Sequence, residues 1–174
     1  NPKTGRCAVV LPQGVLFRSG KEGEIRKQLV ESDKLEAIIT MASGVFYSTG
    51  VSACILFLNN NRAVSRRGRI CMIDGSSIYT PQRAQNIMTE ADIQTVFDYY
   101  TTYEDVIEKV KIVTIADIRE KDYSLAINNY IEKKEQETVP PEEIRRQYFE
   151  AYDEMIEAET RMRELLLKGG YISE

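Results

Sequence analysis

Between Gly44 and Gly50 the chain places Phe46 and Tyr47 on a short loop, flanked by two apolar runs at residues 35–41 and 53–58. Two aromatic rings held between buried strands present a flat apolar surface at a sheet edge, and that is a place for a ligand. A second grouping is Pro12-Gln13-Gly14, which stops the apolar run 7–11. Loops after the carboxyl ends of parallel strands wall the binding crevice of open α/β sheets, so these three residues are either crevice wall or a plain tight turn. A third grouping is basic: Arg62, Arg66 and Arg67, with Arg69 close behind. Guanidinium groups so clustered can contact the phosphates of a DNA backbone, or can serve as charged gatekeepers at a hairpin tip.

Other chemistry is excluded by composition. The sequence has no histidine and no Cys-x-x-Cys, so neither a transition-metal site nor a Ser–His or Cys–His nucleophile is expected. The three cysteines, Cys7, Cys54 and Cys71, lie inside apolar, strand-like runs. That pattern suits reduced core thiols of a cytosolic, hence cytoplasmic, protein. No apolar run approaches the roughly 20 residues that span a bilayer, and no signal-peptide pattern opens the chain. The first residue is Asn1 rather than Met, as in a processed chain or a piece of a longer one.

The elements that must position these residues follow from periodicity. Runs 7–11, 35–41, 53–58 and 69–74 read as strands, with the last paired antiparallel to its predecessor through a hairpin. Ser19 and Glu22 suit a capping box for a helix reaching Ser32, with Ile25 and Leu29 toward the sheet. Strand, helix, strand in that order favours a layered α/β fold. After a polar connector, Thr89 caps a helix carrying Ile93, Val96, Phe97 and Tyr100. A second helical stretch is expected around Val106, Ile107 and Val110, then a short helix and an extended piece within 115–130. Beyond Pro140-Pro141, residues 142–168 form a long helix. Its apolar seam runs through Ile144, Tyr148, Ala151, Met155, Ala158, Met162 and Leu165 at alternating spacings of four and three. Such a seam must lie against its own domain or a partner helix. The expected organisation is thus 1–79, an α/β part; 80–138, a helical extension; and 139–174, a partner-facing helix. Charge divides along similar lines: residues 1–79 balance at +5 and residues 80–174 at −9, giving the net −4 and two surfaces suited to different partners.

Several short strings carry a family resemblance. Gly5-Arg6-Cys7-Ala8-Val9-Val10-Leu11-Pro12-Gln13-Gly14-Val15-Leu16-Phe17 resembles a hallmark run of the modification (methyltransferase) subunits of Type I restriction–modification systems, which are adenine-specific DNA methyltransferases. The likeness continues in Glu24-Ile25-Arg26-Lys27, in Gly44-Val45-Phe46-Tyr47-Ser48-Thr49-Gly50-Val51, in residues 54–59 and in Met72-Ile73-Asp74-Gly75-Ser76. It reappears in Ile118-Arg119-Glu120-Lys121-Asp122-Tyr123-Ser124-Leu125, and so covers about 1–130. Gln13 departs from the family, which often has Asn there.

The resemblance implies that these strands are the C-terminal ones of a Rossmann-like methyltransferase sheet, followed by a helical region ending in the long helix. The family's Gly-rich loop for S-adenosylmethionine and its Asn-Pro-Pro-aromatic catalytic motif lie upstream. Here there is no Gly-x-Gly, and Asn1-Pro2 is followed by Lys3-Thr4. The cofactor is therefore expected in the full-length enzyme and not on this chain, which alone should be inert with no catalytic residue of its own. What the chain would carry is part of the pocket for a flipped base, with Phe46, then Tyr47, in the stacking position. Implied partners are double-stranded DNA, the specificity subunit and the restriction subunit. The seam residues Ile144, Tyr148, Met155, Met162 and Leu165 are candidates for subunit contact, homodimerisation included. The competing reading is a non-catalytic α/β interaction module with a helical docking arm. The reading frame before Asn1 separates the two.

Overall fold

The computed structural model describes residues 1, 3–46, 50–83, 85–132 and 140–172. Five strands, β1 (Arg6–Pro12), β2 (Leu35–Met41), β3 (Ala53–Asn59), β4 (Arg69–Gly75) and β7 (Val110–Thr114), form one sheet in the order β1-β3-β2-β4-β7. Two short strands, β5 (Thr80–Pro81) and β6 (Asn86–Ile87), make a separate hairpin. The helices are α1 (Lys21–Glu31), α2 (Glu90–Thr102), α3 (Ile115–Glu120) and α4 (Pro141–Lys168). Contacts divide the chain into two units, Asn1–Lys134 and Glu135–Glu174.

β4 does not pair with β3 as a hairpin. β1 and β2 already occupy both edges of β3, each antiparallel to it. β3 ends beside the amino end of β2, so the next strand must join the free edge of β2 running parallel to it. The register Ala37↔Cys71 through Met41↔Gly75 is that pairing. It also satisfies burial: residues 70–75 of β4 are all buried, and an unbroken apolar strand needs both faces covered. One face carries Leu16, Val30, Ile38, Cys54, Leu56, Ile70, Met72 and Ile118; the other carries Ala37, Ile39, Cys71, Ile73, Val96 and Val110. β3 is only half so placed, because Cys54 and Leu56 are buried while Ile55 and Phe57 are part-exposed.

Four local expectations differ from what forms. The stretch around Val106 and Val110 is a turn leading into β7, not a helix. Glu108 takes φ 61°, Ile107 is exposed, and Val110, Ile112 and Val113 pair with β4. α1 is capped by Gly20 rather than Ser19, at φ 72° and ψ −142°, a conformation that favours glycine. Its buried residues are Arg26 and Val30; Leu29 packs at the core margin, whereas Ile25 is 64% exposed. Arg26 turns inward because its guanidinium donates to the carbonyls of Val15, Arg18 and Tyr123. α2 starts as expected, with a reciprocal Thr89–Asp92 capping box. Cys54 and Cys71 are buried, but Cys7 is exposed on β1. Among the described residues, no strand pairs with the outer edge of β1, and Val10 stands exposed there.

A buried carboxylate fastens α2 to the sheet. Glu36 accepts hydrogen bonds from Asn59 Nδ2 at 2.9 Å, Tyr100 Oη at 3.0 Å and Arg66 at 3.3 Å. Burial pushes its pKa up, but those three donors outweigh burial and hold it below the ordinary carboxylate value. A carboxylate depressed on folding contributes stability that is fully present above its unfolded pKa, about 4.3, and is lost as pH falls through the folded value. Urea unfolding compared between wild type and Glu36→Gln should therefore show a gap that is constant above about pH 5 and narrows below it. A gap independent of pH down to acid unfolding would refute that assignment.

Candidate functional site: the carboxyl edge of the sheet

β1, β2 and β4 run in the same direction, so the segments that follow them meet at one end of the sheet. β1 ends in Pro12 and passes into a 3-10 turn, Gln13–Leu16, anchored by the buried Leu16. Gln13 N–H donates to the Ser52 carbonyl at 3.1 Å, tying the end of β1 to the start of β3. The loop leaving β2 carries Phe46, which is 37% exposed.

Two adjoining depressions result. One, of about 330 Å³, is lined by Val10, Leu11, Pro12, Phe46, Val51 and Ser52. It is apolar with an aromatic wall. The other, of about 210 Å³, is polar and includes Gln13, Thr40, Ser52, Asp74, Ser76 and Asn128. Ser52 belongs to both. Asp74, buried at the carboxyl end of β4, accepts from Thr40 Oγ1 at 3.1 Å and from Ser76 N–H at 3.0 Å. Behind the loop, Phe46 also borders an apolar groove of about 540 Å³ between the sheet and α2, with Ile55, Phe57, Phe97 and Tyr100.

The structure thus brings Phe46 and Pro12 to one depression and Gln13 to the next. Gly14 contributes only its carbonyl, which accepts from Phe17 and Arg18 N–H. Tyr47 lies outside the described residues. Thr40, Ser52 and Asp74 escaped the sequence reading. A carboxylate closing a buried strand just before Gly75-Ser76 was the available signal for Asp74.

The arginine cluster is elsewhere. Residues 60–68 follow β3 and so lie at the amino ends of β2 and β4, roughly 20 Å along the strands from Phe46. Arg62 is 5% exposed and bonds Asp33 at 2.5 Å and the carbonyls of Arg66 and Arg69. Arg66 pairs with Glu36, donates to the Thr101 carbonyl and stacks over the Tyr103 ring at 4.3 Å. Both cations hold the crossover together rather than facing a DNA backbone, whereas Arg67 is exposed to solvent.

Burial raises the Cys54 thiol to about 11 and Cys71 to about 12, so neither is a thiolate at neutral pH. Among the described residues no group of His, Cys, Asp and Glu could hold a metal ion, and no helix is long and apolar enough to cross a membrane. In the other unit, α4 buries none of its side chains, and Ile144, Tyr148, Met155, Met162 and Leu165 are all exposed.

Comparison with known proteins agrees with this architecture. Residues 2–139 match the family described as N-6 DNA Methylase. The MjaVII methylase subunit of a Type I restriction enzyme from Methanocaldococcus jannaschii is 33% identical over 87% of this chain and 28% of its own length. The MpnII methylase subunit from Mycoplasma pneumoniae is 28% identical over 93% of this chain and 30% of its own. A solved type I restriction-modification methyltransferase subunit from Streptococcus thermophilus superposes with a TM-score of 0.69 at 34% identity, covering 74% of this chain and 27% of that one. The chain spans less than a third of the length of these relatives.

Proposed function

The chain belongs to the N-6 DNA methylase family, and we propose that it is the C-terminal portion of the modification subunit of a Type I restriction–modification enzyme, acting on the exocyclic amino group of adenine in DNA. Its part in the reaction is to wall the pocket that receives the flipped base. The observation that carries this reading is the position of Phe46, half-exposed beside Pro12 at the carboxyl edge where β1, β2 and β4 end. A base taken out of the duplex loses its stacking partners, and an aromatic ring presented at the crevice replaces them. The exposed apolar edge of β1 supports continuation of the sheet into the rest of a methyltransferase domain.

The methyl donor of such an enzyme is S-adenosylmethionine, and the residues present here do not fit it by themselves. The polar depression of about 210 Å³ is smaller than the roughly 300 Å³ at which small-molecule pockets begin. The sequence also has no Gly-x-Gly turn. We assign the cofactor to the full-length enzyme, and methyl transfer to that enzyme rather than to this chain alone. In the cytoplasm its partners are double-stranded DNA, the specificity subunit and the restriction subunit, and the seam of α4 is the surface offered for assembly.

Stacking on a base is worth about 1–3 kcal/mol, or roughly five- to a hundred-and-fiftyfold. Phe46→Ala in the full-length enzyme should lower kcat/KM for methylation by that factor, and Phe46→Tyr should restore most of it. Wild-type kinetics for the alanine variant would rule out the stacking role. Methylation by the isolated chain would rule out the division of labour.

A further inference from the structure

The β5–β6 hairpin sits between β4 and α2, and one of its residues grips the Phe46 loop twice. Asn86 N–H donates to the Gly44 carbonyl at 3.0 Å, and Asn86 Nδ2 donates to the Ser43 carbonyl at 2.8 Å. Residues 43 and 44 turn the chain out of β2 immediately before Val45 and Phe46. Gly44 makes that turn at φ 71°, a left-handed conformation that side chains rarely adopt. A Cβ at Gly44 would stand 3.5 Å from Asn86 Nδ2, so turn and clamp are in contact. The hairpin is anchored in turn: Asn86 pairs with Pro81, and Thr80 Oγ1 donates at 3.4 Å to Asp92, the carboxylate that caps α2. The next two residues, Ile87 and Met88, border the apolar groove together with Phe46. A mechanical path therefore runs from the start of α2 through Asn86 to the loop that presents the ring.

We propose that Asn86 is a positioning residue for base stacking, holding the Phe46 loop in its receiving geometry before the base arrives. The inference rests on the stacking role of Phe46. A loop held in advance loses no conformational freedom when the base enters, whereas an unclamped loop must be ordered at every turnover. Asn86 suits this task because its amide supplies a donor beyond the backbone N–H of its own residue, so two successive carbonyls are fixed and not one.

The test uses the full-length methyltransferase in its complex, with a duplex carrying 2-aminopurine at the target adenine to report flipping. Asn86→Ala should lower both the 2-aminopurine emission and kcat/KM by about two- to tenfold, the worth of one hydrogen bond. Asn86→Asp has the same shape without the donor and should lose as much. The decisive readout is coupling: Asn86→Ala combined with Phe46→Ala should be no worse than Phe46→Ala alone, because the clamp acts through the ring. Losses that multiply, or wild-type behaviour of both Asn86 variants while Phe46→Ala is impaired, overturn the positioning role. A silent Phe46→Ala instead removes the stacking role on which it rests.

Discussion

Arg62→Ala should lower the unfolding free energy of the first unit by about 2–3 kcal/mol, the cost of taking a buried charged donor away from several acceptors, its ion-pair partner Asp33 being 35% exposed. Its guanidinium is enclosed where the chain crosses from β3 to β4. It meets the Asp33 carboxylate at 2.5 Å, the Asp33 carbonyl at 3.0 Å and the carbonyls of Arg66 and Arg69. Asp33 itself sits at φ 52° between α1 and β2, and its carboxylate also accepts from Gly68 N–H at 2.8 Å. Truncation would leave these acceptors facing a void. Lysine should not rescue, since a single ammonium cannot span acceptors arranged around a planar fork. Arg67→Ala, a few residues away and exposed, should change stability by no more than about 0.5 kcal/mol. Urea titration of the three variants reads all of this directly. An Arg62→Ala chain as stable as wild type would show that the crossover holds without its arginine.

The second large effect is expected in assembly. With Met155→Lys and Met162→Lys together, affinity of the full-length modification subunit for the specificity subunit should fall about a thousandfold, taking roughly 2 kcal/mol for each anchor. Both methionines lie on the exposed seam of α4, and lysine places an ammonium where an apolar partner surface would have to desolvate it. Lysine is a good helix former, so the helical signal in circular dichroism should persist and separate lost docking from lost folding. Sedimentation of the mixed subunits gives the answer. Undiminished assembly rejects the seam as the specificity-subunit contact, and loss of self-association alone assigns it to a second copy.

Arg62 also shows where reading from sequence stops. Arg62, Arg66 and Arg67 look alike within ten residues of chain. Only the partners at Asp33, Glu36 and Thr101 distinguish two structural cations from a solvated one. The same holds at the crevice. Phe46 was visible as an aromatic on a loop bracketed by glycines, but Ser43, Gly44 and Asn86 are some forty residues apart and nothing in local spacing joins them. Asp74 was readable as the end of a strand, not as the group bonded to Thr40 across the parallel pair.

What the sequence determined unaided is whatever depends on neighbours a few residues away. Apolar runs set β2 and β3, Thr89 set the start of α2, and a three-four repeat set α4, because hydrogen bonds and burial in these elements follow from local pattern. The family strings added the proposed chemistry of the site. Tertiary structure alone decided the direction of β4, the strand at Val110–Thr114, the inward turn of Arg26 and Arg62, and the clamp on the Phe46 loop. Each depends on which strand edges were already filled and which carbonyls lacked a donor. Those quantities exist only once distant segments have met.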